Sequence, residues 1–103
     1  MRWKEQLYER PLRRPLDDST RRAIEALYRE RRHEIPVATE LHWHPAHPAF
    51  TLRSQWLSFH GRFTTDTLVV EAELSLAAKM MVTAAHRADA VRFIDSIARE
   101  LDL

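Results

Sequence analysis

The sequence contains no cysteine and a single glycine, Gly61, among its 103 residues. The lack of cysteine excludes disulfide bonds, thiolate nucleophiles and cysteine-ligated metals, and it favours a cytoplasmic protein. Phosphate-binding loops of the P-loop and Rossmann types need several glycines, because the backbone must approach the ligand closely. A single glycine therefore excludes both types of nucleotide site.

Long hydrophobic runs are also missing. The sequence has no stretch of about 18 apolar residues, the length that a membrane-spanning helix requires. Its first ten residues lack the apolar segment of a signal peptide. These absences predict a protein that neither spans a membrane nor carries a secretion signal.

The remaining composition is that of one ordinary folded domain, with 45% hydrophobic and 30% charged residues. Residues 1–33 hold ten basic and six acidic residues. This basic third fits either a solvated helix face or a surface for an acidic partner. The overall charge of +1 argues against nucleic acid as that partner.

The clearest pattern is the alternation of apolar and polar residues between positions 67 and 76, which is typical of a half-buried strand. The apolar set is Leu68, Val70, Ala72, Leu74 and Leu76, and the opposite set is Val69, Glu71, Glu73 and Ser75. This strand is predicted to pair with residues 50–63 through a turn at residues 64–67. The apolar positions of residues 50–63 change parity near Trp56 and Leu57, which indicates a β-bulge or a brief break.

Helical periodicity appears on both sides of this hairpin. A capping sequence at residues 16–19 predicts a helix that runs to about His33, and apolar residues spaced by three and four predict another over residues 84–101. Residues 37–43 alternate as a first strand. The predicted domain, residues 16–103, is therefore an α+β fold of order α-β-β-β-α, with both helices on one face of a three-stranded antiparallel meander.

Residues 1–15 are predicted to form a separate N-terminal arm. Trp3, Leu7, Tyr8 and Leu12 are spaced by four, one and four, which would place them on one stripe of a short amphipathic helix. Such an arm would pack on its own domain or on a neighbouring subunit.

Three segments of the chain carry a family resemblance: residues 15–27, residues 60–63 leading into 67–74, and residues 93–101. They resemble the polyhydroxyalkanoic acid system proteins, small bacterial proteins of polyester storage-granule gene regions, and the resemblance covers roughly residues 14–103. The chain departs from the family at Arg14, where a histidine is usual, and in a longer stretch at residues 77–85. The resemblance implies a role with granule-associated proteins, and it implies no catalytic residues.

The residues suggest a metal site at His42, His44 and His47. Residues two apart on a strand point to the same side, so His42 and His44 would present two imidazoles, and the turn at residues 45–48 would bring His47 to them. Three imidazoles and a water are a known ligand set for zinc. The alternative is a polar strand end with solvated histidines.

A second candidate site is a pocket for an apolar or acyl ligand between the sheet and the last helix. Its predicted lining is Trp56, Phe59, Met80 and Met81. Surplus apolar residues on the last helix, including Ala90 and Phe93, fit either a deeper core or a partner surface.

No catalytic constellation accompanies these candidates. Glu71 and Glu73 alternate on the outer side of a strand, where acidic residues commonly keep a sheet face soluble, with Arg62 or Arg53 as cross-strand partners. The sequence also lacks the strained Gly-x-Ser-x-Gly turn that activates a serine nucleophile. The prediction is a non-enzymatic accessory or interaction protein, with a zinc-binding or acyl-binding protein as the alternatives.

The sequence further predicts a homodimer, because a three-stranded sheet leaves two unpaired edges. The candidate contact residues are Trp3, Leu7, Tyr8 and Leu12 of the arm, and Phe93 and Ile97 of the last helix.

Overall fold

The computed structural model describes residues 2–35 and 37–103, and within them the chain forms five strands and three α-helices. The strands are β1 (Arg2–Pro11), β2 (Glu40–Trp43), β3 (Ala49–Arg53), β4 (Leu57–Phe63) and β5 (Thr67–Ser75). The helices are α1 (Asp18–Arg31), α2 (Leu76–Met81) and α3 (Ala84–Glu100). A 3-10 turn, Arg32–Glu34, follows α1, so the α-helix ends slightly before its predicted end at His33.

All five strands form one antiparallel sheet in the order β1-β5-β4-β3-β2. The α+β class is confirmed, but the predicted three-stranded meander is wrong, because it lacks β1 and merges β3 with β4. The predicted element order also lacks the short helix α2. Strand β2 begins at Glu40, three residues later than predicted.

The predicted helical arm is a strand. The spacing of its apolar residues is consistent with a bulged strand as well as with a helix: Trp3 and Leu7 share one parity, and Tyr8 and Leu12 share the other. The register of β1 against β5 shifts between Gln6 and Tyr8, so the extra residue turns both sets toward the same face.

The single strand predicted over residues 50–63 is two strands joined by a turn. The Ser54 hydroxyl donates a hydrogen bond to the carbonyl oxygen of Leu57 (2.7 Å), and the Ser54 amide donates to the same oxygen (3.0 Å). Trp56 lies in this turn, so the change of parity marks a reversal of the chain. The structure thus has a hairpin turn where the sequence predicted a bulge or a brief break within one strand.

The predicted hairpin between β4 and β5 is confirmed. The Thr64 amide donates to the carbonyl oxygen of Thr67 (2.8 Å), which closes the turn. The inward residues of β5 are all buried: Leu68, Val70, Ala72 and Leu74. Leu76, the last residue of the predicted apolar set, is exposed instead. The strand ends before it, because the Ser75 side chain accepts a hydrogen bond from the Ala78 amide (3.1 Å) and α2 begins at Leu76.

The three helices contact this same face of the sheet. Ile24 of α1 and Ala98 of α3 are buried with Leu68 and Val70 in one core cluster. A second cluster joins Ala78 of α2 to Ala72 and Leu74. Helix α1 is capped by the Asp17 carboxylate, which accepts from the Thr20 amide (2.7 Å) and thereby satisfies a free amide of its first turn. Among the described residues no helix is long and apolar enough to cross a membrane.

Candidate ligand cleft

A cleft of about 570 Å³ lies between the sheet and α3. Its floor is made of apolar side chains from four strands: Leu7, Leu52, Leu57, Phe59, Ala72 and Leu74. Its wall is made of Val82 and the helix residues Ala90, Phe93 and Ile94. The segment that precedes β2 contributes Ile35, Val37 and Thr39 on a third side.

The cleft lies beside the part of α3 that is less buried. Ile97 and Ala98 are buried, whereas the upstream apolar residues Ala90, Phe93 and Ile94 are only half-buried and line the cleft. A second contact holds this end of the helix, because Arg31 of α1 donates to the Ser96 hydroxyl (3.1 Å) and pairs with Glu100. The N-terminal half of α3 therefore leaves space above the floor.

The rim of the cleft carries charges that are paired with each other. Arg87 Nε donates to Glu5 Oε1 (2.7 Å), and its Nη1 donates to the carbonyl oxygen of Val82 (3.0 Å). Arg92 pairs with Asp89 on the same helix. Glu34 adds a third acidic residue to the rim. An anionic ligand would therefore have to compete with Glu5 for Arg87 and with Asp89 for Arg92.

Of the predicted pocket residues, Phe59 lines this cleft, whereas Trp56, Met80 and Met81 are exposed outside it. Trp56 lies in the turn between β3 and β4, and the two methionines lie at the end of α2. Two sequence signals point to the residues that the prediction missed. The inward parity of β4 includes Leu57 with Phe59, and the surplus apolar stripe of α3 is the cleft wall.

The predicted zinc ligands have different contacts. His44 Nδ1 accepts hydrogen bonds from the amides of Ala46 (3.0 Å) and His47 (3.1 Å), and the rings of His44 and His47 are 4.6 Å apart between centroids. His42 instead contacts Glu40 (3.1 Å). In the described part of the chain no group of three or more histidine, aspartate or glutamate residues is arranged to hold a metal ion. The zinc site stays a prediction.

The predicted dimer contacts lie mainly within the chain's own packing. Tyr8 and Leu12 pack against the first core cluster, and Leu7 packs against the second. On α3, Ile97 is buried and Phe93 lines the cleft. Trp3 is the exposed member of the set, with Lys79 Nζ 3.2 Å from the centroid of its ring. The homodimer therefore also stays a prediction.

The outer face of the sheet, opposite the cleft, holds the two acids considered above. Glu71 contacts Arg62 (3.5 Å), the predicted cross-strand partner. Glu73 accepts from His60 Nε2 (2.9 Å) and from Arg2 (3.3 Å). The hydrogen bond from His60 is the main reason that the pKa of the Glu73 carboxyl is lowered, against the opposing effect of burial. This face is a set of satisfied polar pairs.

No family model, curated protein or solved structure matches the chain. The resemblance to polyhydroxyalkanoic acid system proteins therefore stays an expectation, and the geometry of the cleft carries the functional argument.

Proposed function

We propose that the protein is a binding protein that holds an uncharged apolar ligand, such as an acyl ester, in the cleft between the sheet and α3. The observation that supports this function is the combination of a volume of about 570 Å³ with an apolar floor and wall. Small-molecule sites typically enclose about 300–1,000 Å³ and are lined mainly by apolar groups. The cleft has both properties.

The apolar lining would make affinity depend on chain length. Burying one methylene group contributes roughly 0.8 kcal/mol, which corresponds to about fourfold in affinity. Each added methylene is expected to tighten binding by up to this factor until the chain fills the cleft. Beyond that length the gain should stop.

The rim favours a ligand without a charge. An anionic head group would meet Glu5, Glu34 and Asp89, while the cations Arg87 and Arg92 are already paired. A free fatty acid would have to break one of these pairs, whereas an ester or an alcohol would not. The resemblance implies a role with polyester storage granules, and a hydroxyacyl ester is the chemical group that such a role would bring to the cleft.

Displacement of a fluorescent apolar probe tests this proposal, with methyl esters of increasing chain length and the matching free acids as competitors. Ala90→Leu should fill part of the cleft and weaken ester binding at least about tenfold, since the added methylenes occupy the ligand's space. Ala88→Leu is the matched control, because Ala88 is exposed on the same helix and does not line the cleft. It should bind like the unmodified protein.

Two results would overturn the proposal. One is the absence of binding by every ester together with no change in melting temperature. The other is equal binding by Ala90→Leu and Ala88→Leu, which would place the ligand elsewhere. Tighter binding of the free acids than of the esters would contradict the preference for an uncharged head group.

Association with polyester granules requires a separate test. Under storage conditions the tagged protein should fractionate with isolated granules and recover granule proteins. Protein found only in the soluble fraction would contradict a role on the granule while leaving ligand binding in the cleft intact.

A further inference from the structure

Large exposed apolar side chains are concentrated at one end of the sheet. The described residues include six such side chains, and five of them form what we call the apolar end: Trp3, Trp56, Leu76, Met80 and Met81. The two methionines are 84% and 67% exposed. Clusters of this kind on a protein surface commonly mark interaction sites, whereas single exposed apolar residues are ordinary.

Strand register brings these residues together. Leu74 of β5 lies opposite Trp3 of β1 on one side and opposite Leu57 of β4 on the other. Trp56 directly precedes Leu57, and Leu76 follows Leu74 by two positions. The start of β1, the turn before β4 and the start of α2 are therefore neighbours at the same end of the sheet.

Helix α2 turns its larger apolar side chains away from the protein. Its buried residue is Ala78, which packs with Ala72 and Leu74. Leu76, Met80 and Met81 are exposed on the same six-residue helix. The helix is thus buried only at Ala78 and presents its largest side chains to the surroundings.

Basic residues border the apolar end. Lys79 lies over the ring of Trp3, and Arg2 and Lys4 are exposed on the adjoining part of β1. Of the nearest acids, Glu5 is paired with Arg87, and Glu73 is mostly buried and paired with His60 and Arg2. Arg2 therefore already has an acidic partner, and Lys4 and Lys79 supply the positive charge beside the apolar end. Apolar side chains bordered by Lys and Arg are typical of segments that lie in the interface of an anionic membrane.

We propose that the apolar end docks on the surface of an anionic lipid bilayer, with Trp56, Met80 and Met81 inserted among the lipids and Lys79 at the head groups.

A second copy of the chain fits this surface poorly. In a two-fold dimer the same patch faces itself, so Lys4 and Lys79 would approach their own equivalents. A stable dimer also needs about 800 Å² from each partner, typically 20–30 residues, whereas the apolar end has five large side chains. This inference does not depend on what the cleft holds.

Vesicle co-sedimentation tests the proposal with the full chain. Vesicles of phosphatidylcholine mixed with phosphatidylglycerol should bind the protein, and binding should fall as salt screens the head groups. Vesicles of phosphatidylcholine alone should bind it much more weakly. The fluorescence of Trp3 and Trp56 should shift to shorter wavelength when the anionic vesicles are added.

Matched variants locate the contact. The double substitution Met80→Ser and Met81→Ser should weaken vesicle binding at least tenfold, and Lys79→Glu should weaken it about fivefold or more. The control is Val37→Ser, because Val37 is the sixth exposed apolar side chain and lies at the cleft instead. It should bind vesicles normally, as should Ala90→Leu. Thermal melts verify that each variant is folded.

No binding to anionic vesicles would overturn the inference, as would unchanged binding by the methionine variant. Self-association in sedimentation velocity that the same methionine substitutions abolish would also overturn it, because the patch would then be a contact between copies. If no ester binds but vesicle binding is intact, only the proposed ligand site in the cleft is contradicted.

Discussion

The Tyr8 hydroxyl donates a 2.7 Å hydrogen bond to Asp95 Oδ1 and thereby joins the edge strand β1 to helix α3. Arg99 Nε is 2.6 Å from Oδ2 of the same carboxylate, and Arg10 is 3.7 Å from Oδ1. The Tyr8 hydrogen bond is the main reason that the pKa of Asp95 is lowered. Burial, assisted by Asp95, raises the pKa of Tyr8.

Replacing Tyr8 by phenylalanine should lower stability at neutral pH, and this effect should become smaller in acid. Because the pKa of Asp95 is lower in the folded protein than its ordinary value of 3.8, the carboxylate contributes stability that is complete above that value. This contribution is lost as pH falls from there through the folded-state pKa. Tyr8→Phe should lower the free energy of unfolding at pH 7 by roughly 1.5–3 kcal/mol, as expected for a hydrogen bond to a charged group. Urea denaturation at a series of pH values measures both effects.

The control for this prediction is Tyr28→Phe. The Tyr28 hydroxyl is hydrogen-bonded to Thr39 and to no carboxylate, so its loss should lower stability equally at pH 7 and in acid. When the pH is lowered into the acid range, the Tyr8→Phe variant should lose less stability than the unmodified protein. If both proteins lose the same amount, Tyr8 does not contribute to the lowered pKa of Asp95.

Substituting Gly61 by alanine should destabilise the sheet. A Cβ atom at this position would lie 2.1 Å from Cε1 of Phe50, its partner on β3. That ring cannot move freely, since its centroid is 5.6 Å from that of Trp43 and 6.1 Å from that of Phe63. Overpacking of this kind typically costs about 1–3 kcal/mol.

Thermal denaturation measures the effect of Gly61→Ala. Adding Phe50→Leu should recover part of the loss, because the two sites share one contact. Ser58→Ala on the same strand is the control and should change stability little. A Gly61→Ala protein that melts like the unmodified one would show that the Phe50 ring can be displaced without cost.

Deleting residues 1–12 should unfold the protein. The deletion would remove Leu7, Tyr8 and Leu12 from the two core clusters and expose the edge of β5. Circular dichroism should show loss of cooperative melting. A stable, cooperatively folded remainder would show that β1 is an accessory strand.

The predicted homodimer is better tested by a single substitution, because the deletion is expected to unfold the protein. Trp3→Ser removes the exposed ring and should leave the fold intact. If Trp3 contributes to a dimer contact, light scattering should show a shift toward monomer, whereas an unmodified protein that is already monomeric at high micromolar concentration would contradict the dimer.

The elements that the sequence predicted correctly are those in which the deciding residues are close together in the chain. Examples are the alternation in β5, the turn from Thr64 to Thr67, and the helical periodicities of α1 and α3. Each of these patterns lies within one short segment of the sequence. The same is true of the cap at Asp17. For the cleft, the sequence pointed to a pocket between the sheet and the last helix and to Phe59 in its lining. The surplus apolar residues of α3 were left open between a deeper core and a partner surface.

Contacts between distant parts of the chain decided the rest. The spacing of Trp3, Leu7, Tyr8 and Leu12 fits a helix and a bulged strand equally well, and the strand forms because the edge of β5 supplies hydrogen bonds from residues far along the chain. Strand register likewise places Trp56 at the same end of the sheet as Trp3 and the start of α2. The order of residues along each element is enough to tell which of its positions are apolar. Only in the folded chain is it apparent that Ala98 of α3 is buried in the core with sheet residues, whereas Ala90 on the same helix is half-buried and lines the cleft.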